Sequence, residues 1–108
     1  MDSKDRAPAK QIQIELDERT SAGEYANLAI VTHSPAEFII DFTQVMPGLP
    51  KARVRSRIIM APLHVKAFAS ALTENIEKYE ARFGEIKVSQ DEWAREFGFK
   101  LPTDTVPN

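Results

Sequence analysis

Apolar and polar positions follow a period of two over three stretches of the chain. Residues 11–17, QIQIELD, place aliphatic side chains on one face and polar side chains on the other, as a half-buried strand requires. Residues 37–45, EFIIDFTQV, alternate similarly, and residues 51–60, KARVRSRIIM, alternate in charge before becoming wholly apolar. Residues 24–33 contain LAIV, a run apolar on both faces that is typical of a covered strand. The pattern predicts four strands.

Short polar or proline-rich segments separate these strands. ERTSAG follows the first strand, HSP the second and MPGLP the third. Proline donates no backbone hydrogen bond and glycine readily adopts positive φ, so MPGLP is predicted to be a loop. Connections of this length and composition favour antiparallel neighbours in a meander.

The period changes to that of a helix after Pro62. Five large apolar side chains recur at spacings of three and four: Phe68, Leu72, Ile76, Tyr79 and Phe83. Pro62 suits the first turn of a helix, and Gly84 suits the position just past its end. The spacing predicts a helix of about 20 residues with one face packed on the sheet and the other in water. Glu74 and Lys78 are placed to form an ion pair on the solvated face.

A second, short helix is predicted over residues 89–101. Ser89 and Glu92 have the spacing of a capping box, and Trp93 and Phe97 lie on one side of this helix.

The predicted fold class is therefore α+β. A four-stranded antiparallel meander is followed by one long helix packed on the sheet, in the order ββββα, and by the short C-terminal helix. Residues 1–10 are a polar, disordered lead-in, residues 11–88 form a single domain, residues 89–101 are a helical extension, and residues 102–108 are a frayed tail.

Composition narrows the class of protein. The 108 residues suit one domain, and 43% hydrophobic with 28% charged residues is ordinary for a folded, soluble chain. The formal net charge of −2 gives no overall attraction to phosphate or anionic lipid. The absence of cysteine excludes disulfides and thiolate chemistry. With a polar N-terminus and no long apolar run, these features predict a cytoplasmic protein without a membrane segment.

Several motifs, in a fixed order, resemble a known family. They are YAN, HSPAEFIIDF, the Pro-Gly loop, RVRSRIIMAP and a helix that ends in YEARFGEI. Over residues 24–86 the chain resembles a bacterial family of small proteins known as domain of unknown function 3467. The resemblance implies no activity and assigns no catalytic residue. The segment that contains Trp93 and Phe97 lies beyond the resembling region.

Four basic residues stand at alternate positions of the predicted fourth strand: Lys51, Arg53, Arg55 and Arg57. On a strand they would share one face, about 6.5–7 Å apart, close to the spacing of phosphates along a nucleic-acid strand. They are therefore a candidate polyanion-binding site. The favoured alternative is a solvated, ion-paired face, because in a hairpin Glu37 and Asp41 lie opposite or diagonal to the arginines. No aromatic side chains interleave with the row.

Residues suited to catalysis or metal binding are sparse. His33 and His64 are the two imidazoles, and neither has a cysteine or a second histidine at ligand spacing. Ser34 follows His33, but adjacency in sequence is not the geometry of a nucleophile and its base. We expect no catalytic residue, no metal site, no cofactor and no enzyme activity.

Apolar residues are predicted on both faces of the sheet, although one helix covers only one face. Candidate interface residues are Val31, Ile39, Ile59, Trp93 and Phe97. A second copy of the chain would cover the exposed face, so a homodimer is expected. Alternatively, Trp93 and Phe97 cover the sheet within the chain or hold a partner protein.

The function favoured by these observations is that of a small, non-enzymatic binding or interaction protein that forms homo-oligomers. The alternative is single-stranded nucleic-acid binding through the basic strand face. That alternative draws on topology alone, because the ββββα order is similar to the repeat of PUR and Whirly-type nucleic-acid binders. The expected partner is a second copy, with nucleic acid or another protein as alternatives and no membrane.

Overall fold

A computed structural model describes residues 11–88 of the chain. The elements follow in the order α1 (Glu18–Ser21), β1 (Leu28–His33), β2 (Phe38–Val45), β3 (Ala52–Met60) and α2 (Pro62–Phe83). Within this range the three strands form one antiparallel sheet in the order β1-β2-β3. The predicted α+β class, with an antiparallel meander and a long helix, is confirmed.

Two tight connections hold the meander in register. Between β1 and β2 the N–H of Ser34 donates to the carbonyl of Glu37 at 2.9 Å, and between β2 and β3 the N–H of Leu49 donates to Met46 at 3.1 Å. Gly48 has a φ of 77° in the second loop, a conformation that the MPGLP sequence favours. On one face of the sheet this register aligns Val31, on β1, with Ile40 and Ile58.

The predicted first strand is wrong: residues 11–17 form neither strand nor helix, and the described part of the chain contains three strands rather than four. Ile12, Ile14 and Leu16 are 86%, 91% and 67% exposed. The carboxylate of Asp17 instead accepts the N–H of Thr20 at 2.7 Å and caps the short helix α1. Alternation sorts side chains onto two faces, but a strand also needs a neighbouring strand with which to pair.

Helix α2 spans 22 residues and begins and ends where the sequence predicts. Gly84 has a φ of 104°, and its N–H donates to the carbonyl of Glu80 at 2.9 Å. The N–H of Ile86 donates to the carboxylate of Glu80 at 2.8 Å. Glu80 therefore holds the residues after the helix through two hydrogen bonds, one to its carbonyl and one to its side chain. The predicted pair of Glu74 and Lys78 forms at 3.5 Å.

Helix α2 does not pack on the sheet as predicted, because none of its residues is buried in the single chain. Among the described residues the buried apolar side chains are Ile40, at 4% exposed, and Val45, at 2%. Both belong to the central strand β2. The apolar stripe of the helix is present as predicted, but the other described residues leave it exposed.

Three predicted segments lie outside the described residues: the lead-in over residues 1–10, the C-terminal helix over residues 89–101, and the tail over residues 102–108. Neither α1 nor α2 combines the length and the apolar character that crossing a membrane requires.

Candidate interaction surface

An open groove lies between the sheet and the first half of α2. Its volume is about 640 Å³, and the residues of the 11–88 range that line it are apolar apart from Lys66. The floor comes from alternate residues of β1 and β2, which the pleat turns to one face, and the roof comes from successive turns of α2. We call this feature the apolar groove, and it is lined chiefly by Ala29, Val31, Phe38, Phe42, Phe68 and Leu72.

The apolar stripe of α2 continues past the groove. Ile76, Tyr79 and Phe83 are not part of the groove lining and are 39%, 50% and 65% exposed. The rings of Tyr79 and Phe83 contact each other with centroids 5.0 Å apart, and the guanidinium of Arg82 lies 5.3 Å from the Phe83 centroid. The second half of the helix therefore presents an ordered aromatic surface to its surroundings.

The other face of the sheet carries a charged pair at its centre. Asp41 stands between Ile30 and Arg57 in the register, and its carboxylate accepts two hydrogen bonds from the Arg57 guanidinium, at 2.7 and 3.0 Å. The hydrogen bonds from Arg57 hold the pKa of Asp41 below its ordinary value and raise the pKa of Arg57. The cross-strand ion pair predicted for Asp41 is confirmed.

A β-bulge breaks the predicted row of basic residues. Phe42 pairs with Ser56 and Thr43 pairs with Val54, so Arg55 is an extra residue in β3. Because of the bulge, the side-chain alternation of β3 before Arg55 is shifted by one position relative to the alternation after it. The four basic residues therefore do not share one strand face.

The pairing partners show the effect of the bulge. Arg53 pairs with Gln44 and Arg57 pairs with Asp41. Asp41 and Gln44 are three positions apart on β2 and point to opposite faces, so Arg53 and Arg57 do the same.

Acidic or polar groups contact the last two arginines of the row, Arg55 and Arg57. Arg55 donates to Glu24 at 2.8 and 3.1 Å and to Gln44 at 3.3 Å, whereas Arg57 binds Asp41. Lys51 lies before β3 and is exposed. Polyanion binding by Lys51, Arg53, Arg55 and Arg57 stays a prediction. The shared strand face that motivated this prediction is not present.

The candidate interface residues fall into three places. Val31 lines the apolar groove, whereas Ile39 and Ile59 pair with each other on the opposite face of the sheet. Ile59 is exposed and Ile39 is half-buried. Trp93 and Phe97 lie outside the described residues.

The two histidines are in separate elements. His33 ends β1 and stacks on Phe38 with ring centroids 5.3 Å apart, and His64 lies exposed in the first turn of α2. Neither lines the apolar groove. Over residues 11–88 no group of three or more His, Asp or Glu side chains is placed to hold a metal ion.

Asn27 has a role that the sequence reasoning missed. Its amide nitrogen donates to the carbonyl of Val45 at 2.9 Å, and its amide oxygen accepts the N–H of Val45 at 2.8 Å. The side chain thus replaces a backbone strand partner, while the backbone N–H of Asn27 bonds to Thr43 at 3.0 Å. The signal lay in the YAN motif just before β1, where an amide side chain can both donate and accept.

Comparison with protein families agrees with the motifs. Residues 1–88 match the model of DUF3467, described as proteins of unknown function. No curated protein and no solved structure matches the chain. The match covers more than half of the sequence and includes residues 11–17, which lie outside the motifs noted above. The chain belongs to the DUF3467 family.

Proposed function

We propose that the protein is a small, non-enzymatic interaction module that works as a homodimer in the cytoplasm. The observation that carries the proposal is the uncovered apolar surface formed by the groove and by the stripe of α2. Soluble monomers rarely keep contiguous apolar patches larger than roughly 300–600 Å² in water. A partner that covers this surface is therefore expected.

A second copy of the same chain suits both parts of this surface. Each copy offers an open groove and a protruding apolar half-helix, and a two-fold axis brings the half-helix of one copy against its partner. Among the described residues, Lys66 is the single charged residue in the groove lining. Self-association therefore brings few like charges together at the centre of the contact.

The size of the exposed surface is also suitable. Aromatic side chains bury about 150–250 Å² each, and Phe68, Tyr79 and Phe83 keep much of that area exposed. Together with the aliphatic residues of the groove and stripe, several hundred Å² per chain are available. A standard specific interface buries about 800 Å² per partner.

Sedimentation velocity with matched helix variants tests the proposal. Ile76→Lys places a charge in the apolar stripe, and Ser70→Lys places the same charge on the exposed opposite face of α2. Because the interface contains each position twice, we expect Ile76→Lys to weaken dimerisation by at least about tenfold, from the burial free energy of an aliphatic side chain. Ser70→Lys should dimerise as the wild type does. A monomeric wild type at high micromolar concentration overturns the proposal.

Single-stranded nucleic-acid binding is the second candidate, supported by the exposed basic residues Lys51 and Arg53 at the start of β3. The acidic partners of Arg55 and Arg57 weaken this support. Fluorescence anisotropy with labelled DNA and RNA oligonucleotides at low salt tests it. Binding that is lost when Lys51 and Arg53 are replaced by Ser supports the candidate, and no binding at low salt rejects it.

A further inference from the structure

Residues 11–17 have the side-chain pattern of a strand but no strand beside them. Ile12, Ile14 and Leu16 would share one face of a strand, and all three side chains are exposed. Among the described residues, the backbone groups of residues 11–16 form no hydrogen bond with another backbone group. A segment of this kind can supply every hydrogen bond and side-chain contact of an edge strand.

The outer edge of β1 is an open acceptor for such a strand. Within the described range β1 pairs with β2 alone, so its other edge is free. Its sequence, LAIVTH, contains no Lys, Arg, Asp, Glu or proline, and its pairing with β2 shows no bulge. The opposite edge, on β3, has a bulge and three arginines, two of the devices that keep sheet edges from pairing.

We propose that residues 11–17 of one copy add to the free edge of β1 in a second copy, and that the exchange is reciprocal. This inference rests on the proposed homodimer and specifies how the dimer is built. Each sheet then has four strands, one of them from the partner copy.

The geometry of the groove supports this placement. Ala29 and Val31, on β1, line the apolar groove, so its floor reaches the free edge of the sheet. A strand added there turns alternate side chains toward the groove. Ile12, Ile14 and Leu16 then extend the apolar floor beneath α2, and the glutamines face the other side. The small side chain of Ala29 leaves room for the incoming aliphatic groups.

Contacts within the chain direct the segment away from its own β1 edge. The side chain of Asn27 bonds to Val45 of β2, and Glu24 bonds to Arg55 of β3. These contacts hold residues 24–27 toward β2 and β3, on the side of the sheet away from the free edge. Exchange between copies leaves these contacts in place.

Disulfide trapping tests the exchange, because the natural chain contains no cysteine. Chains with Gln13→Cys are mixed with chains that carry Leu28→Cys, Ile30→Cys or Thr32→Cys on β1, and the mixtures are oxidised gently. Cysteines on neighbouring strands fall within the Cα separation that a disulfide spans. We expect a crosslinked heterodimer for at least one β1 position. Chains with Ser70→Cys, on the exposed face of α2, serve as the control and should give none.

A pair of lysine variants supplies a second measurement. Ile14→Lys charges the apolar face of the segment, and Gln13→Lys charges its polar face. We expect Ile14→Lys to weaken dimerisation by tenfold or more and Gln13→Lys by less than threefold, with unchanged circular dichroism. The segment packs on nothing in the described single chain, so neither variant should prevent folding.

The outcomes separate this inference from the proposed homodimer. A wild-type dimer that gives no crosslink at any of the three β1 positions, and that Ile14→Lys leaves intact, overturns the exchange but leaves the homodimer standing. A wild type that is monomeric at high micromolar concentration overturns both.

Discussion

At the scale of single residues, Asn27 stabilises the start of the sheet. Its amide takes the place of a strand residue beside Val45, with both hydrogen bonds under 3 Å. A buried backbone group that loses such a partner destabilises the fold by much of its desolvation free energy. Secondary-structure patterns do not reveal this role, because Asn27 precedes the strand and is not part of an apolar period.

We predict that Asn27→Ala lowers the free energy of unfolding by about 1–3 kcal/mol, because it leaves the N–H and carbonyl of Val45 without partners. Asn27→Asp keeps the size of the side chain but replaces the donor to the carbonyl with an oxygen, so it should also destabilise. Urea denaturation measures both. Variants that unfold at the wild-type midpoint would show that the amide contributes little.

Asp41 makes stability depend on pH. Because hydrogen bonds from Arg57 lower the folded-state pKa of Asp41, the pair stabilises the fold above the ordinary pKa of 3.8. That stabilisation is lost as the pH falls from 3.8 through the lower folded-state value. We predict that Asp41→Asn lowers the melting temperature at neutral pH and that the difference from wild type shrinks below pH 3.8.

Thermal melts followed by circular dichroism across this pH range check the prediction. Glu74→Gln is the matched control, because it removes the exposed pair with Lys78 on α2 and should change the melting temperature little. An Asp41→Asn deficit that persists undiminished at the lowest pH would contradict the account.

At the scale of elements, side-chain periods identified β1, β2, β3 and α2 to within a few residues. Pro62 and Gly84 marked the ends of α2 because each residue restricts or permits a particular backbone conformation. The period of two over residues 11–17 was equally clear but did not produce a strand in the single chain. A period reports which side chains share a face and says nothing about which strand lies alongside.

The bulge at Arg55 shows a second limit of sequence patterns. Alternation across KARVRSRIIM predicted one basic face, yet the pairing of β2 with β3 omits Arg55 and reverses the face of Arg53. The extra residue is defined only by the two strands together. The predicted pairing of Asp41 with an arginine survived because both residues lie on the same side of the bulge.

The end of α2 gives an element-scale prediction. Gly84 has a φ of 104° and a ψ of 166°, a region that is essentially restricted to glycine. A Cβ at this position would meet no atom within 4 Å, so the cost of Gly84→Ala is in the backbone alone.

For Gly84→Ala we predict a loss of about 1–3 kcal/mol in the free energy of unfolding. Chemical denaturation measures it, with Thr73→Ala within α2 as a control that should be near neutral or stabilising. An unchanged midpoint for Gly84→Ala would contradict the assigned conformation.

At the scale of the whole molecule, the sequence predicts an apolar stripe on α2 but does not indicate which chain covers it. Leu72, Ile76 and Phe83 follow the period of any packed helix, whether the packing is within one chain or between two. In the single chain these residues remain exposed, and the buried apolar side chains among the described residues are confined to β2. The proposed homodimer would give the stripe a partner and would make folding depend on protein concentration.

We therefore predict that the melting temperature rises with protein concentration. If unfolding is coupled to dissociation, a hundredfold increase in concentration stabilises the dimer by about 2.7 kcal/mol. Scanning calorimetry over such a range measures the shift, and Ile76→Lys should lower the melting temperature at each concentration. A melting temperature independent of concentration would show that the chain folds without a partner.

The most direct test of the homodimer is sedimentation equilibrium of the wild-type chain at micromolar concentrations. We predict a mass of about twice the 12.2 kDa of one chain, with the monomer appearing only on dilution. A single species with the mass of one chain at high micromolar concentration would contradict it.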